Sequence, residues 1–240
     1  MKIKQSGIFF LGIFLAVGMA LCGYFISQTI YNAKVAINTA EAKGLAERRV
    51  ESDIANWKLE YRVVGKTRLE IPELYKQAEK IQQTIVDLLK TNGFDDNEIE
   101  IGVIDYYYKE YRDKSQKLVD QEHKLIGSIS VETHKVRKVS KVRSCVNKLI
   151  AQGIDIENHA PTYRFTKLNE IKPAMLSEAT KNARIAANEF AKNADVKVGG
   201  IRSAYQGSFY IRDVGEDYAD TGKIEKTVRV VTTITFYLTE

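Results

Sequence analysis

The first apolar segment of the chain runs from Ile8 to Ile26 and contains no charged side chain. At about 1.5 Å of rise per residue, a helix of this length approaches the roughly 30 Å thickness of the hydrocarbon core of a bilayer. A core helix of a soluble protein normally carries a polar stripe, and this segment has none. The pattern therefore predicts a transmembrane helix within residues 1–30.

The charges that flank this segment predict its orientation. Lys2 and Lys4 precede it, and only Lys34 follows it closely. Because positive flanks stay in the cytoplasm, we expect a single-pass protein of the cytoplasmic (inner) membrane with its C-terminal domain in the periplasm or outside the cell. The segment is longer than the apolar part of a usual signal peptide and no A-x-A site follows it closely, which favours an uncleaved anchor over removal on export. A lipoprotein, with Cys22 as the lipid site, is a weaker alternative because the residue before it is Leu21.

A tether is expected over residues 31–42 and a folded, exported domain over residues 43–240. Within that domain the apolar positions change between a period of two, which predicts strands, and a helical period. Strands are expected from Ile54 and over 99–111, 125–131, 163–167, 198–212 and 227–238, and helices over 71–92, 139–153 and 173–193.

The resulting order of elements is roughly ββαββαβαββ. This order lacks the strict alternation of a doubly wound sheet, and its hairpins favour antiparallel pairing. We therefore predict an α+β fold, a mostly antiparallel sheet packed with helices, as one body or as two subdomains divided near residues 155–162. The last long helix is expected to approach a sheet or another helix closely through one side that consists of Leu176, Ala179, Ala183, Ala186, Ala187 and Phe190.

Two stretches resemble the SIMPL-domain family, a bacterial envelope family that includes periplasmic immunogenic proteins. The first stretch is Lys43-Gly44-Leu45-Ala46-Glu47-Arg48 with Asp53, Ala55 and Trp57, and the second is Ala179, Asn182-Ala183-Arg184, Ala187, Phe190-Ala191 and Gly199-Gly200-Ile201. The resemblance covers residues 43–239 and implies an exported α+β domain that self-assembles and is linked to envelope or oxidative stress. It implies no catalytic residue. The family often has an acidic residue in the strand after the glycine pair, where this chain has Tyr205-Gln206.

Composition narrows the choice of function. The chain has 36 Lys and Arg residues against 31 Asp and Glu residues, an excess too small to predict a nucleic-acid partner. His123, His134 and His159 lack the spacing of a zinc site, and the glycines form neither a P-loop nor a dinucleotide turn. Serine occurs in no nucleophile elbow. We therefore predict no metal, no cofactor and no catalytic residue.

Two clusters remain as candidate contact surfaces. Six basic residues surround the predicted helix over 139–153 and could contact anionic lipid headgroups, although a solvated helix face is the commoner explanation. They are Lys135, Arg137, Lys138, Lys141, Arg143 and Lys148.

The consecutive residues Tyr106, Tyr107 and Tyr108 lie in a predicted strand, so their rings must project from both faces, and one face is a candidate subunit contact. Cys145 is expected to pack as a small apolar side chain, with a reactive thiol as the alternative.

These patterns predict a membrane-anchored, exported envelope protein of non-enzymatic, self-associating type. The expected partners are the membrane, further copies of the chain and other envelope proteins. The alternative hypothesis is a module that binds a small ligand or an anionic surface, and the third hypothesis is an enzyme.

Overall fold

The structure is a computed structural model that describes residues 5–35 and 38–239. Helix α1 (Gln5–Val35) contains a segment, Phe9–Ala33, that is long and apolar enough to cross a membrane, and none of it is buried against other residues. The predicted N-terminal apolar helix is confirmed to this extent. The helix continues to Val35 and the next strand begins at Thr39, both within the stretch that was expected to be a tether.

Beyond α1 and two short 3-10 helices at Arg68–Glu70 and Asp96–Glu98, the described residues form ten strands and three α-helices. They are β1 (Thr39–Glu51), β2 (Ile54–Gly65), α2 (Ile71–Thr91), β3 (Ile99–Ile101), β4 (Asp105–Arg112), β5 (Leu118–Thr133), α3 (Val136–Ala151), β6 (Ile156–Asn158), β7 (Thr162–Arg164), α4 (Leu168–Asn193), β8 (Lys197–Gln206), β9 (Tyr210–Asp213) and β10 (Glu225–Thr239). The α+β class with antiparallel sheets is confirmed, since the strand pairs whose registers are known all run antiparallel.

The predicted order of elements differs from the structure at three places. The strand expected over 99–111 is divided into β3 and β4 by residues 102–104, although the Gly102 N–H still donates to the Ser128 carbonyl of β5. The strand expected over 198–212 is divided into β8 and β9, where the N–H of Gly207 donates to the Val231 carbonyl. The short strand β6 was not expected, since three residues are too few to establish a period.

The chain divides into two compact units. One contains the residues up to Ala46, Pro173–Phe209 and the residues from Val230 onward, and the other contains Glu47–Lys172 and Tyr210–Arg229. Residues 155–162, where a subdomain boundary was considered, lie inside the second unit.

The second unit is built on a sheet with strand order β3-β5-β2-β6, in which β4 also pairs with β5 and β7 also pairs with β2. One face of this sheet is buried against apolar residues of α2 and α3, as the period-two pattern predicted. The buried residues of the two central strands include Ala55, Trp57, Leu59, Tyr61 and Val63 on β2 and Leu125, Gly127, Ile129 and Val131 on β5. Each Å² of apolar surface that is buried in this layer stabilises the unit by about 25 cal/mol.

Gly127 provides the space that the buried Tyr61 ring needs. It lies opposite Tyr61 in the β2–β5 register, and a Cβ atom at Gly127 would be 2.2 Å from the Tyr61 hydroxyl oxygen. The Tyr61 hydroxyl donates to Gln82 Oε1 at 2.8 Å. Burial raises the pKa of Tyr61 to about 12, so the phenol stays neutral and the hydrogen bond is retained.

The first unit contains the sheet order β1-β10-β8, and α4 packs there through small side chains. The buried positions of α4 in this unit repeat every four residues, and they are Met175, Ala179, Ala183, Ala187 and Ala191. Leu176 and Ala186 are half-buried, but the prediction for Phe190 is wrong, since 62% of this side chain is exposed. Phe190 lies one residue, or about 100° of helix rotation, away from the buried stripe.

Candidate functional site

A cluster of exposed aromatic side chains outside α1 is carried by the β4–β5 hairpin. β2 ends opposite His123, so that within the described residues the part of β5 from Leu118 to Glu122 pairs only with β4. We call the segment 105–124 the β4–β5 arm. Its turn is closed by the Asp113 carboxylate, which accepts the N–H groups of Ser115 at 2.8 Å and Lys117 at 3.0 Å. Every residue of β4 is exposed.

The three consecutive tyrosines of the arm project from both faces, as the strand periodicity predicted. Tyr106 lies opposite the buried Leu125, so it faces the same side of the sheet as α2 and α3. Tyr107 lies opposite Lys124 and projects from the other face. The exposed fractions are 44% for Tyr106, 51% for Tyr107 and 47% for Tyr108, so each ring is available for contact.

Tyr106 and Tyr108 are fixed around one buried imidazole. His123 is only 3% exposed, and its Nδ1 is hydrogen-bonded to the Tyr106 hydroxyl at 2.7 Å. The Tyr108 ring centroid lies 4.9 Å from that of His123. Nε2 of His123 is buried and has no hydrogen-bond partner in the described part of the chain. The two rings therefore form the cover of a buried polar group.

The hydroxyl of Tyr108 has its own partner within the arm. It donates to Glu110 Oε1 at 2.7 Å, and this hydrogen bond raises the pKa of Tyr108. Arg112 donates to the other oxygen of Glu110 at 2.6 Å. Among the described residues, by contrast, no hydrogen bond is made by the Tyr107 hydroxyl, and the Lys124 ammonium lies 5.9 Å from the ring centroid. Tyr107 is thus the tyrosine of this trio that has no internal polar role.

The basic residues of the predicted anionic-surface contact are mostly engaged within the protein. Lys135 Nζ lies 2.6 Å from Asp95 Oδ2 and 2.8 Å from Glu98 Oε2, and it also donates to the Gly93 carbonyl. Burial alone would raise the pKa of Glu98, but the hydrogen bonds from Lys135 and Thr133 outweigh it and lower that pKa to about 2. This cation is therefore part of a structural ion-pair network.

Three further members of the basic set also have internal partners. Arg137 forms an ion pair with Glu51, Lys138 donates to the Gly93 carbonyl at 3.1 Å, and Arg143 donates to the Asn158 carbonyl at 3.4 Å. Lys141 and Lys148 are exposed and make no side-chain ion pair or hydrogen bond within the described residues. The set expected as one surface thus reduces to two free cations on α3.

A charged cluster that the sequence did not predict lies on the sheet of the second unit. Glu60 of β2 is directly opposite Glu157 of β6, and His159 follows β6. Nε2 of His159 lies 3.9 Å from Glu60 and its Nδ1 lies 3.7 Å from Glu157. Their ligand-type atoms are close enough to hold a metal ion, but Lys58 and Arg62 already neutralise the two carboxylates. The imidazole lies between the carboxylates, an arrangement typical of an ion-pair network that joins β6 to β2.

The alternation E-x-H in residues 157–159 was the available signal for this cluster, because residues two apart share a face of a strand. The third member lies almost a hundred residues earlier, so only the pairing of β2 with β6 brings it close.

An open cleft of about 690 Å³ lies on the sheet of the second unit, at the ends of β2, β3 and β5. Its lining is mostly polar and includes Asn56, Glu100, Ser130 and Thr162. No lining residue is a cysteine or a histidine, so this cleft contains neither a thiol nucleophile nor an imidazole base. Cys145 lies elsewhere, half-buried on α3, with its Sγ 3.9 Å from the Lys141 carbonyl.

The residues that carry the family resemblance contact one another in the first unit. A Cβ atom at Gly44 would be 1.8 Å from the Ala179 carbonyl oxygen, so β1 and α4 approach closely at this point. Asn182 Nδ2 donates to the Leu45 carbonyl at 2.7 Å. In the second unit the Asp53 carboxylate accepts both the N–H and the hydroxyl of Thr166 at 2.6 Å. These motif residues hold the fold together.

Comparison with known proteins agrees with this architecture. A family model described as SIMPL, a protein of unknown function (DUF541), matches residues 41–236, which is most of the chain. No curated protein matches the chain significantly. The chain belongs to the SIMPL family.

Proposed function

We propose that the protein is a single-pass envelope protein of the cytoplasmic membrane, whose exported SIMPL domain acts by associating with further copies and not by catalysis. The apolar helix α1, which is unburied over Phe9–Ala33, supports the anchor. Lys2 and Lys4 before this helix support export of the domain that follows it. A link to envelope or oxidative stress, and contacts with other envelope proteins, follow from the family resemblance.

The observation that carries self-association is the exposed β4–β5 arm. Four tyrosines of β4 are between 40% and 51% exposed, namely Tyr106, Tyr107, Tyr108 and Tyr111, and Leu118 and Val119 on the paired strand are also exposed. No described strand pairs with the far edge of β4. In soluble proteins, edge strands with large exposed rings are usually covered by another element or carry residues that prevent pairing with a second strand. Tyrosine is enriched at protein interfaces, where its ring is buried and its hydroxyl stays near water. A second copy of the arm would cover this surface.

The mass of the full chain in detergent tests this proposal. Light scattering with subtraction of the detergent mass is expected to give a multiple of 27.2 kDa. A strictly monomeric chain over the whole accessible concentration range would contradict self-association. Protease access to a C-terminal tag in spheroplasts tests the orientation, since an exported domain is digested before the cells are broken and a cytoplasmic domain is protected.

A second candidate function is contact with an anionic surface, favoured by the two free cations Lys141 and Lys148 on α3. Anionic phospholipid vesicles are then expected to bind the exported region of the wild type, and to bind the double variant Lys141→Glu, Lys148→Glu much more weakly. The matched control is Lys167→Glu together with Lys192→Glu, which changes the net charge equally at other sites. Equal loss in both variants would indicate nonspecific charge attraction and would contradict a dedicated surface.

A further inference from the structure

We propose that two copies of the chain join by antiparallel pairing of their β4 strands about a two-fold axis at Tyr107. The inference rests on the proposed self-association and assigns it an interface and a register.

The edge of β4 that does not face β5 is open in the described residues. β3 and β4 both pair with the same side of β5, at Ile129–Val131 and at Leu118–Ile126 respectively, while β2 pairs with the other side. No described strand pairs with the far edge of β4. Alternate N–H and C=O groups along that edge are therefore directed to solvent, and a second strand can pair with them without any change in the fold.

Symmetry limits the registers that two identical β4 strands can adopt. In an antiparallel pair related by a two-fold axis, a contact of residue i in one copy with residue j in the other is accompanied by a contact of residue j in the first copy with residue i in the second. Directly opposite side chains also share one face of the sheet. Both conditions hold only when one residue of the strand lies opposite its own copy, so each register is named by that central residue.

The charges of β4 favour the register centred on Tyr107. In this register Asp105 lies opposite Lys109, and by symmetry Lys109 lies opposite Asp105, which gives two ion pairs. Registers centred on Lys109 or Glu110 place like charges directly opposite, which is unfavourable, and registers centred on Tyr106 or Tyr108 form no ion pair. A register centred on Tyr111 places Glu110 opposite Arg112, but these two residues are already paired within one strand, and the shift of register between Tyr111 and Arg112 interrupts the strand there. The charges of two antiparallel copies of β4 are thus complementary when Tyr107 of one copy lies opposite Tyr107 of the other.

The tyrosines match in the same register. Tyr106 lies opposite Tyr108 of the second copy and Tyr108 lies opposite Tyr106, so four rings meet on the face that covers His123. Tyr107 meets its own copy on the other face, between the two ion pairs. Because Tyr106 and Tyr108 are already held by His123 and Glu110, little side-chain entropy is lost when they pack. A shift of register between Tyr111 and Arg112 ends the regular part of the strand beyond this region.

Disulfide trapping in membranes tests the register directly. In a background with Cys22→Ser and Cys145→Ser, Tyr107→Cys places two thiols directly opposite each other, where Cβ atoms are about 4.5–5.5 Å apart. Mild oxidation of membranes that contain the full chain is expected to give a covalent dimer. Tyr108→Cys is the matched control, since its own copy is displaced by two positions in this register. Trapping at position 108 in place of 107, or at neither, would overturn the proposed register.

Charge reversal separates this interface from any other. Asp105→Lys or Lys109→Asp alone creates two like-charge pairs and is expected to weaken dimerisation by roughly tenfold, whereas the double exchange restores both ion pairs. Circular dichroism checks that each variant folds. If the wild-type chain is multimeric and neither reversal changes its mass, the β4 interface is wrong while self-association stands. If the wild-type chain is monomeric, both proposals fail.

Discussion

Lys226 and Asp213 form an ion pair whose side chains are almost inaccessible to solvent, at 0% and 1% exposure. Asp213 also accepts the N–H groups of Gly222 at 2.7 Å and Lys223 at 3.1 Å, and Lys226 donates to the Asp220 carbonyl at 2.8 Å. Burial raises the pKa of Asp213, but the hydrogen bond from Lys226 and those from the two amides outweigh burial and leave that pKa below its ordinary value. The Asp213 carboxylate thus joins the two ends of the loop between β9 and β10.

Asp213→Ala is expected to destabilise the protein by about 3–5 kcal/mol, because the variant leaves the Lys226 charge buried without its partner. Asp217→Ala, at an exposed position of the same loop, is the control and is expected to change little. Thermal unfolding followed by circular dichroism measures both. A melting temperature of Asp213→Ala equal to that of the wild type would show that the pair is dispensable.

The Glu98 carboxylate is expected to give the protein an acid-sensitive contribution to stability. Its pKa is about 2 in the folded chain against an ordinary 4.5, so the unfolded chain binds the proton more readily. The contribution is therefore complete above about pH 4.5 and is lost as the pH falls toward 2. Glu98→Gln removes it, so that the melting temperature is lower at neutral pH and changes less between pH 4.5 and 2. Glu100→Gln, at an exposed neighbouring position, is expected to retain the wild-type pH profile.

Tyr106→Phe is expected to cost about 1–3 kcal/mol of unfolding free energy, since it leaves Nδ1 of the buried His123 without its partner. Tyr107→Phe removes a hydroxyl that has no internal hydrogen bond and is expected to cost less than about 0.5 kcal/mol. Chemical denaturation of the two variants compares neighbouring residues of the same type. Equal costs would mean that the hydrogen bond to His123 contributes nothing to stability.

Gly44→Ala is expected to destabilise the first unit by about 1–3 kcal/mol or more, because the new methyl group collides with backbone atoms of α4 that have little freedom to move. Gly200→Ala is the control, since a Cβ atom there has no neighbour within 4 Å. Proteolytic sensitivity of the two variants is the measurement. A Gly44→Ala chain as resistant as the wild type would contradict the close approach of β1 and α4.

Local patterns predicted much of the fold. The alternation in β2 and β10 and the helical stripes of α2 and α3 were correct, because each of these elements buries one face against a single layer. Phe190 was placed wrongly because hydrophobicity favoured the ring, whereas the close packing of α4 selected the alanines at 179, 183 and 187.

The candidate site was less accessible from the sequence. Consecutive tyrosines revealed that rings must lie on both faces, but not that Tyr106 bonds to a buried imidazole. The basic residues near α3 looked like one surface because their partners, such as Glu51 for Arg137 and Glu98 for Lys135, are distant in the chain. Long-range pairing decides such contacts, and a local pattern does not contain it.

The position of β10 has a consequence for the order in which the chain acquires its structure. β10 lies between β1 and β8 in the sheet, although more than 170 residues of chain separate β1 from β10. Neither of the two outer strands has its neighbour until β10 has been synthesised. During that interval β1 and β8 are open to binding by chaperones and to attack by proteases.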